Sequence, residues 1–301
     1  MTVNAAAILS AVVQGVLVGG LYALFASGLS YMFGVMRLVN LAHGAFAVLA
    51  AYATLILAQT AFVGIPDPGP VLIGLLGVVP VIAILGYLLQ RYVLQLTLSE
   101  SPLPSLLVTF GLAIIIENVL LLTQNATPKK LSLGRAVETA SIDLGFTQIG
   151  VFPLAVLVLA IVLLGGLSLV MARTQFGRLV RAVSDDPATV GLTGANPRHI
   201  YGIAAAIAFG LVAIAGIASG VQTNFSPASG GTLLIFAFEA VIIGGLGSLW
   251  GTFIGGVILG VVQSVGAAVL TKNYEILVGH IVFLLFLIFL PNGIIRRRVR
   301  L

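Results

Sequence analysis

The stretch Ala240–Thr271, AVIIGGLGSLWGTFIGGVILGVVQSVGAAVLT, carries no charged side chain over a length greater than one bilayer crossing requires. Hydrocarbon about 30 Å thick is crossed by roughly 20 apolar residues in a helix. The run therefore reads as the end of one segment, 233–247, and the whole of a second, 250–270. Within it Gly247, Gly251 and Gly255 recur every fourth residue, as do Gly256 and Gly260. A helix face without side chains lets a neighbouring backbone approach closely, a common device of helix packing in lipid.

The same character extends outward along the chain. Met1–Met36, Leu38–Pro66, Leu144–Ala172 and Ile200–Phe238 are also free of charge. With 59% hydrophobic and 8% charged residues over 301 positions, the chain falls far below the roughly one-quarter charged residues of a soluble domain. Short alternating segments, the mark of a membrane β-barrel, are not the pattern here. The expected fold is all-α: one transmembrane domain over 1–301, a helical bundle of about 8–9 crossings. Apolar segments lie near 8–30, 40–60, 71–90, 102–124, 151–172, 200–222, 233–247, 250–270 and 275–291. Segments 233–247 and 40–60 are the candidates for a broken or re-entrant helix, which the bilayer tolerates only inside protein.

Basic residues orient this topology. Arg37, Arg91, Arg173, Arg178, Arg181, Arg198, Arg296, Arg297, Arg298 and Arg300 fall on one side, against Lys129, Lys130, Arg135 and Lys272 on the other. The ten-to-four bias predicts that the first side, with the C-terminus, is cytoplasmic, and nine crossings would put the N-terminus outside. The net charge of +5 follows from that bias, so anionic lipid is a sufficient partner for the basic tail and nucleic acid is not implied. The first segment has no basic residue before its apolar run and is read as a retained helix rather than a signal peptide. Zero cysteines exclude disulfides and thiolate sites.

Catalytic patterns are missing. No Gly-x-x-x-x-Gly-Lys-Ser/Thr loop occurs, so nucleotide hydrolysis would belong to another polypeptide. His43, His199 and His280 lie on separate segments without metal-ligand spacing, and serines such as Ser248 lack a nucleophile-elbow context.

Between the fifth and sixth segments, 173–198 forms the largest polar connection on the basic side. Phe176, Leu179, Val180 and Val183 follow helical spacing, with Arg173, Arg178 and Arg181 free to face headgroups or water, which predicts an interfacial helix. Asp186 is placed as an N-cap, Pro187 suits the first helical position, and Gly194 with Pro197 ends the turn, so Pro187–Thr193 reads as a second short helix. From pattern alone, docking on a partner and simple anchoring at the membrane are equally good readings.

Inside the apolar segments, ionisable groups are functional candidates by default. Glu239, about one turn before the glycine run, can offer a carboxylate to a substrate ammonium or to an internal partner. Glu117, beside Asn118, is the other buried acid. Asn40 and His43, three residues apart, would share a helical side and could cluster with Tyr22. Gly245 and Gly247 are carried as candidates for lining the path, while Gln14, Gln222, Asn224 and Gln263 are weaker. The helix-breaking segment 223–231 and the loop 125–150 are expected outside, as connections or as surfaces for a binding protein.

Specific motifs join these features. Gly19-Gly20-Leu21-Tyr22-Ala23-Leu24 with Gly28-Leu29, then Asn40-Leu41-Ala42-His43-Gly44 and Ala51-Tyr52, begin the chain; Arg178–Ala182 and Gly191–Asn196 lie in its middle, and Gly244–Gly256 lies late. In these the sequence resembles the permease subunits of ATP-binding-cassette importers of the branched-chain amino acid type, over nearly its whole length. One departure is Leu290-Pro291-Asn292-Gly293, where the family often has Arg-Pro-x-Gly.

The resemblance implies a bacterial-type inner-membrane importer built with a second related permease, two cytoplasmic ATP-binding subunits and an extracytoplasmic solute-binding protein. ATP and Mg would be used by the partner ATPase, and this chain would bind no cofactor or metal. Arg173, Arg178, Arg181, Asp186, Pro187, Ala188, Gly191, Leu192 and Gly194 would dock that ATPase. Related members carry urea, amides or organic acids. The rival readings are an ion-coupled secondary transporter with Glu117 and Glu239 titrating, and a passive channel for a small neutral solute.

Overall fold

A computed structural model describes residues 5–60, 67–98 and 103–295; the terminal arginines Arg296, Arg297, Arg298 and Arg300 lie outside them. The chain is helical almost throughout because hydrocarbon supplies no partner for a bare backbone N–H or C=O, and a helix satisfies both within itself. The helices are α1 (Ala5–Met36), α2 (His43–Thr60), α3 (Gly69–Leu89), α4 (Leu103–Gln124), α5 (Val151–Arg173), α6 (Gln175–Asp185), α7 (Pro187–Leu192), α8 (Pro197–Gln222), α9 (Ser229–Gly244), α10 (Leu249–Val269) and α11 (Glu275–Phe289). A π-helical turn, Gln90–Leu94, and a last turn, Gln95–Thr97, extend α3. Among the described residues eight helices are long and apolar enough to cross a membrane, and α9 is a shorter apolar helix of 16 residues. All nine expected segments are therefore helical, and 43–60 is a single continuous helix rather than a broken one.

The chain groups into two compact units. The first comprises Met1–Ser27, Gly134–Leu164 and Phe236–Leu301. Its centre is α10, whose two glycine series face two different neighbours. A Cβ on Gly256 would lie 2.6 Å from the backbone nitrogen of Ala23, and one on Gly260 would lie 2.4 Å from the carbonyl oxygen of Gly15. On another face, a Cβ on Gly255 would lie 2.1 Å from the Ala240 oxygen and one on Gly251 2.3 Å from the Gly244 oxygen. α10 thus meets α1 and α9 backbone to backbone, an approach that any side chain at these positions would block.

Gly247 lies before that helix, in the α9–α10 turn, where Gly245 (φ +106°) and Gly247 (φ +78°) take conformations that L side chains rarely adopt. Ser248 ends the turn by accepting a hydrogen bond from Gly251 N–H at 3.1 Å as the N-cap of α10. The chain after α11 returns to this turn: the amides of Ile294 and Ile295 donate to the carbonyls of Ile243 (2.9 Å) and Gly244 (3.1 Å), satisfying the C-terminal end of α9. A short antiparallel hairpin, β1 (Ser141–Asp143) with β2 (Gln148–Gly150), sits in the loop before α5.

The second unit comprises Gly28–Leu133 and Gly165–Ile235. α8 is apolar on all sides and is its buried axis, with Ala204, Ala205, Ala208, Val212, Ala213 and Ala215 fully covered. α2 and α3 pack on it. A Cβ on Gly216 would lie 2.1 Å from the Ala47 oxygen, and Phe209 meets Phe46 edge-on at 4.6 Å between centroids. The two segments expected on the outer side are joined here: Lys129 and Phe225 exchange backbone hydrogen bonds of 2.8 Å in both directions, and Tyr52 meets Phe225 edge-on at 4.9 Å between centroids.

Because Gly260 faces backbone, Gly260→Val is expected to destabilise the protein by about 3 kcal/mol or more and lower the yield of monodisperse protein in detergent. Gly166 on α5 has open space where a Cβ would stand, and Gly166→Ala should be neutral or slightly stabilising. Thermal unfolding of the two variants compares these outcomes.

Candidate functional site

The first unit buries a polar cluster inside its membrane-spanning helices. Tyr22 of α1, 9% exposed, donates its hydroxyl to Gln263 Oε1 of α10 at 2.7 Å. Its ring lies against Phe236 of α9 at 5.0 Å, and Phe236 faces His280 of α11 at 6.4 Å. Glu239, one turn after Phe236 on α9 and 2% exposed, hydrogen-bonds through Oε1 to His280 Nδ1. Ile243 and Leu259 complete an apolar wall with Tyr22 and Phe236. Gly279 lets α11 close on Gln263, since a Cβ there would lie 2.7 Å from Gln263 Nε2. Within this cluster, Glu239 Oε2 and Gln263 Nε2 are buried without a hydrogen-bond partner among the described residues. A carboxylate oxygen and an amide N–H in such surroundings are costly unless something hydrogen-bonds to them.

Asn40 and His43 lie in the other unit. α2 starts at His43, so Asn40 precedes the helix rather than sharing a face with His43. Its Oδ1 accepts from Ala42 N–H at 2.9 Å, an Asx turn that leads the chain into α2. Leu41 N–H is taken by Thr109 Oγ1 of α4 at 3.2 Å. His43 is 1% exposed and fills the space left by Gly28, where a Cβ would lie 2.8 Å from the imidazole Cε1. Tyr22 has Gln263 as its polar partner, so the expected grouping of Tyr22 with Asn40 and His43 gives way to a grouping with Gln263, Glu239 and His280. Glu117 is half-buried on α4 beside the exposed Asn118. Gly245 and Gly247 shape a turn, and a Cβ on Gly245 would meet the Ile295 oxygen at 2.5 Å.

The 173–198 segment is a helical hairpin with defined caps. Thr174 Oγ1 accepts from Gly177 N–H at 3.1 Å to start α6. Arg181 folds back to donate to the Met171 carbonyl, placing its charge at the C-terminal end of α5 where the helix dipole favours a cation. Val180 and Val183 are buried, Tyr201 donates to the Val183 carbonyl at 3.1 Å, and Ser184 donates to the Gly34 carbonyl at 3.2 Å. Of the apolar face expected to lie on the membrane, Val180 and Val183 pack inside the protein, Phe176 is half-buried and Leu179 is exposed; spacing alone does not distinguish the two settings.

Asp186 then caps α7, accepting from Ala188 N–H at 3.0 Å and Thr189 N–H at 3.1 Å, and from the Thr189 hydroxyl. The Thr189 hydroxyl, followed by these amides, holds the Asp186 carboxyl below the ordinary aspartate value. Pro187, Ala188 and Gly191 are exposed, Gly194 turns the chain at φ +86°, and Leu192 stands 89% exposed at the end of the helix.

Residues 11–290 match the family described as the branched-chain amino acid transport system permease component. The chain belongs to this permease family. The high-affinity branched-chain amino acid permease protein BraD of Pseudomonas aeruginosa is 29% identical over 96% of both chains, and LivH of Escherichia coli is 27% identical over 94% of both. A shorter match, 37% identical over 43% of this chain and 36% of the relative, is to the autoinducer 2 import permease LsrC of Klebsiella pneumoniae. No solved structure matches.

Sequence reasoning reached Glu239 in this permease but not its partner. His280 lies 41 residues away, and only the packing of α11 on the first unit joins them. Gln263 was legible as a lone amide in a glycine-rich helix, though not as the acceptor for Tyr22.

Replacing His280 by Ala strands a buried carboxylate, so a loss of about 3 kcal/mol is expected in thermal unfolding, with the double variant Glu239→Leu/His280→Leu recovering most of it. For α7, the depressed Asp186 value fixes the sign of the pH effect: the cap stabilises the helix above the ordinary aspartate value and is lost as pH falls through the lowered one. A nitroxide on Leu192→Cys, in a chain without native cysteines, should become more mobile on such acidification. It should also gain mobility at neutral pH in Asp186→Ala, and less in Asp186→Asn, which like the protonated acid loses the charge but keeps an acceptor.

Proposed function

We propose that this chain is one permease subunit of an ATP-driven importer in a bacterial-type inner membrane, with a second related permease, two cytoplasmic ATPases that use ATP and Mg, and an extracytoplasmic binding protein. The observation that carries the reading is the α6–α7 hairpin. α6 is tied into the second unit through Val183, Tyr201 and Ser184, while α7 is capped at its start and holds Leu192 out as an apolar knob. A partner that pushes on Leu192 therefore moves a braced lever rather than a loose loop. The sequence carries no Gly-x-x-x-x-Gly-Lys-Ser/Thr loop, so the reading assigns hydrolysis to that partner. Counting α9 as a crossing supports an orientation in which Arg37, Arg91, Arg173, Arg178, Arg181 and Arg198 share one side, and the positive-inside bias makes that side cytoplasmic.

For the solute, the unpartnered Glu239 Oε2 and Gln263 Nε2 suit the two ends of an α-amino acid. The carboxylate would accept from its ammonium and the amide would donate to its carboxylate, while Phe236 and Leu259 suit an apolar side chain. The names of BraD and LivH support branched-chain amino acids as the class. Asn40, His43 and Glu117 contribute polar groups in the second unit, and alternating opening to the two sides would carry the solute across.

In proteoliposomes containing the assembled complex and the binding protein, Leu192→Asp should lower both substrate-stimulated ATP hydrolysis and uptake by about tenfold or more, as expected when roughly 1.4 kcal/mol of docking energy is lost. Glu239→Gln should lower uptake at a given rate of hydrolysis. Unchanged coupling in Leu192→Asp would overturn the docking role. Uptake abolished by an uncoupler while ATP is maintained would return the ion-coupled reading, and transport by this chain alone without ATP would return the channel.

A further inference from the structure

Two helices of the second unit begin inside the membrane-spanning region rather than at its edge. Phe46, in the first turn of α2, meets Phe209 edge-on at 4.6 Å between centroids, and Phe209 is at the midpoint of α8. α8, with 26 residues, is about 39 Å long, so α2 starts close to the middle of the bilayer. The start of α9 lies at the same depth: a Cβ on Gly230 would lie 3.0 Å from the Ala45 nitrogen, and one on Gly44 would run into the Gly230 carbonyl. The two first turns are in backbone contact, and the stretches that lead into them, 37–42 and 223–228, are non-helical. Leu38, Asn40, Ala42, Phe225 and Pro227 in those stretches are buried, as irregular backbone at this depth requires.

This junction has donors left over. Leu41 N–H donates to Thr109 Oγ1, Ala42 N–H to Asn40 Oδ1, His43 N–H to the Asn40 carbonyl and Phe46 N–H to the Ala42 carbonyl. The Gly44 and Ala45 amides between them have no acceptor among the described residues, as is usual for the first turn of a helix. Asn40 is fully buried; its bond to Ala42 holds the side chain over this turn, and its Nδ2 has no partner among the described residues. On the α9 side, Gly231 and Thr232 are exposed and a Cβ on Gly231 would have no atom within 4 Å, so the junction is open there.

A helix N-terminus carries a positive partial charge of about half an elementary charge, and a low dielectric strengthens its pull on an anion. Helices that start within a bilayer turn such ends toward the anionic groups of what they carry. We propose that the junction of α2 and α9 is an anion subsite of the transport path, which holds the carboxylate of an amino acid on the Gly44 and Ala45 amides, Asn40 Nδ2 and the first turn of α9. This rests on the importer reading above for the solute, and adds to the Glu239 and Gln263 cluster a separate station in the second unit. Urea or a neutral amide gains little from two positive helix ends, so the junction favours acids.

The chain has no native cysteine, so Gly231→Cys serves as a probe in the complex purified with its partner subunits, with modification of this chain followed by mass spectrometry. The anionic sulfonatoethyl methanethiosulfonate should gain on the cationic trimethylammonioethyl reagent by about threefold, relative to their ratio with a free thiol in solution, as a helix-terminus interaction of ordinary size gives. L-leucine at about ten times its Kd should slow the modification about tenfold, and leucinamide, in which a neutral amide replaces the carboxylate, should not. Asn40→Asp keeps the acceptor for Ala42 N–H and exchanges the Nδ2 donor for a negative oxygen. It should abolish the reagent preference and the leucine protection while elution and thermal unfolding stay near wild type. Equal protection by leucine and leucinamide, or no preference for the anionic reagent, overturns the subsite, and ATP-driven leucine uptake by the same complex then leaves the importer reading standing. Failure of both reagents to react overturns it as well, since no anion then reaches the junction. Loss of the preference in a complex that takes up no leucine overturns both.

Discussion

Everything in this protein depends on the exclusion of water from the backbone. In hydrocarbon an unpaired N–H or C=O is so costly that each segment must satisfy its own groups, and helices result. Once helices are formed, water no longer drives them together, and close contact of main chain with main chain becomes the means of cohesion. α10 meets that requirement with Gly251 and Gly255 toward α9 and Gly256 and Gly260 toward α1. In the second unit Gly216 on α8 does the same toward Ala47. Where the chain reverses between α9 and α10, glycines at positive φ and the returning amides of Ile294 and Ile295 satisfy the end of α9 without an added side chain.

Against this background several polar side chains inside spans have distinct local roles. Tyr22 and Gln263 join α1 to α10, and Glu239 and His280 join α9 to α11. Asn40 and Thr109 settle the chain at the start of α2. These bonds account for part of the polar inventory of the membrane-spanning region. Glu239 Oε2 and Gln263 Nε2 are among the buried polar atoms left without a hydrogen-bond partner, and they stand out because they lie in one cluster with Tyr22, Phe236 and His280.

The amphipathic segment illustrates the limit of periodic patterns. Phe176, Leu179, Val180 and Val183 specify a helix with one apolar face, and the caps Thr174 and Asp186 define where α6 and α7 begin. That face could be satisfied by lipid or by protein, because both exclude water. Protein takes up Val180 and Val183, with the bond from Tyr201 to the Val183 carbonyl, while Leu179 stays exposed. Arg181, exposed on α6, donates to the Met171 carbonyl at the end of α5.

By itself the sequence determined the number and approximate limits of the helical segments, the start and end of α7, and the family, because apolar length, capping residues and glycine spacing are local properties written in consecutive positions. It also singled out Glu239 and Glu117 as ionisable groups within spans. Only the tertiary structure decided that Glu239 meets His280, that Tyr22 meets Gln263, and that the two glycine series of α10 serve two different neighbours. Those outcomes depend on which helices pack together, and since nearly every face of nearly every helix here is apolar, periodicity does not distinguish the face that meets protein from the face that meets lipid.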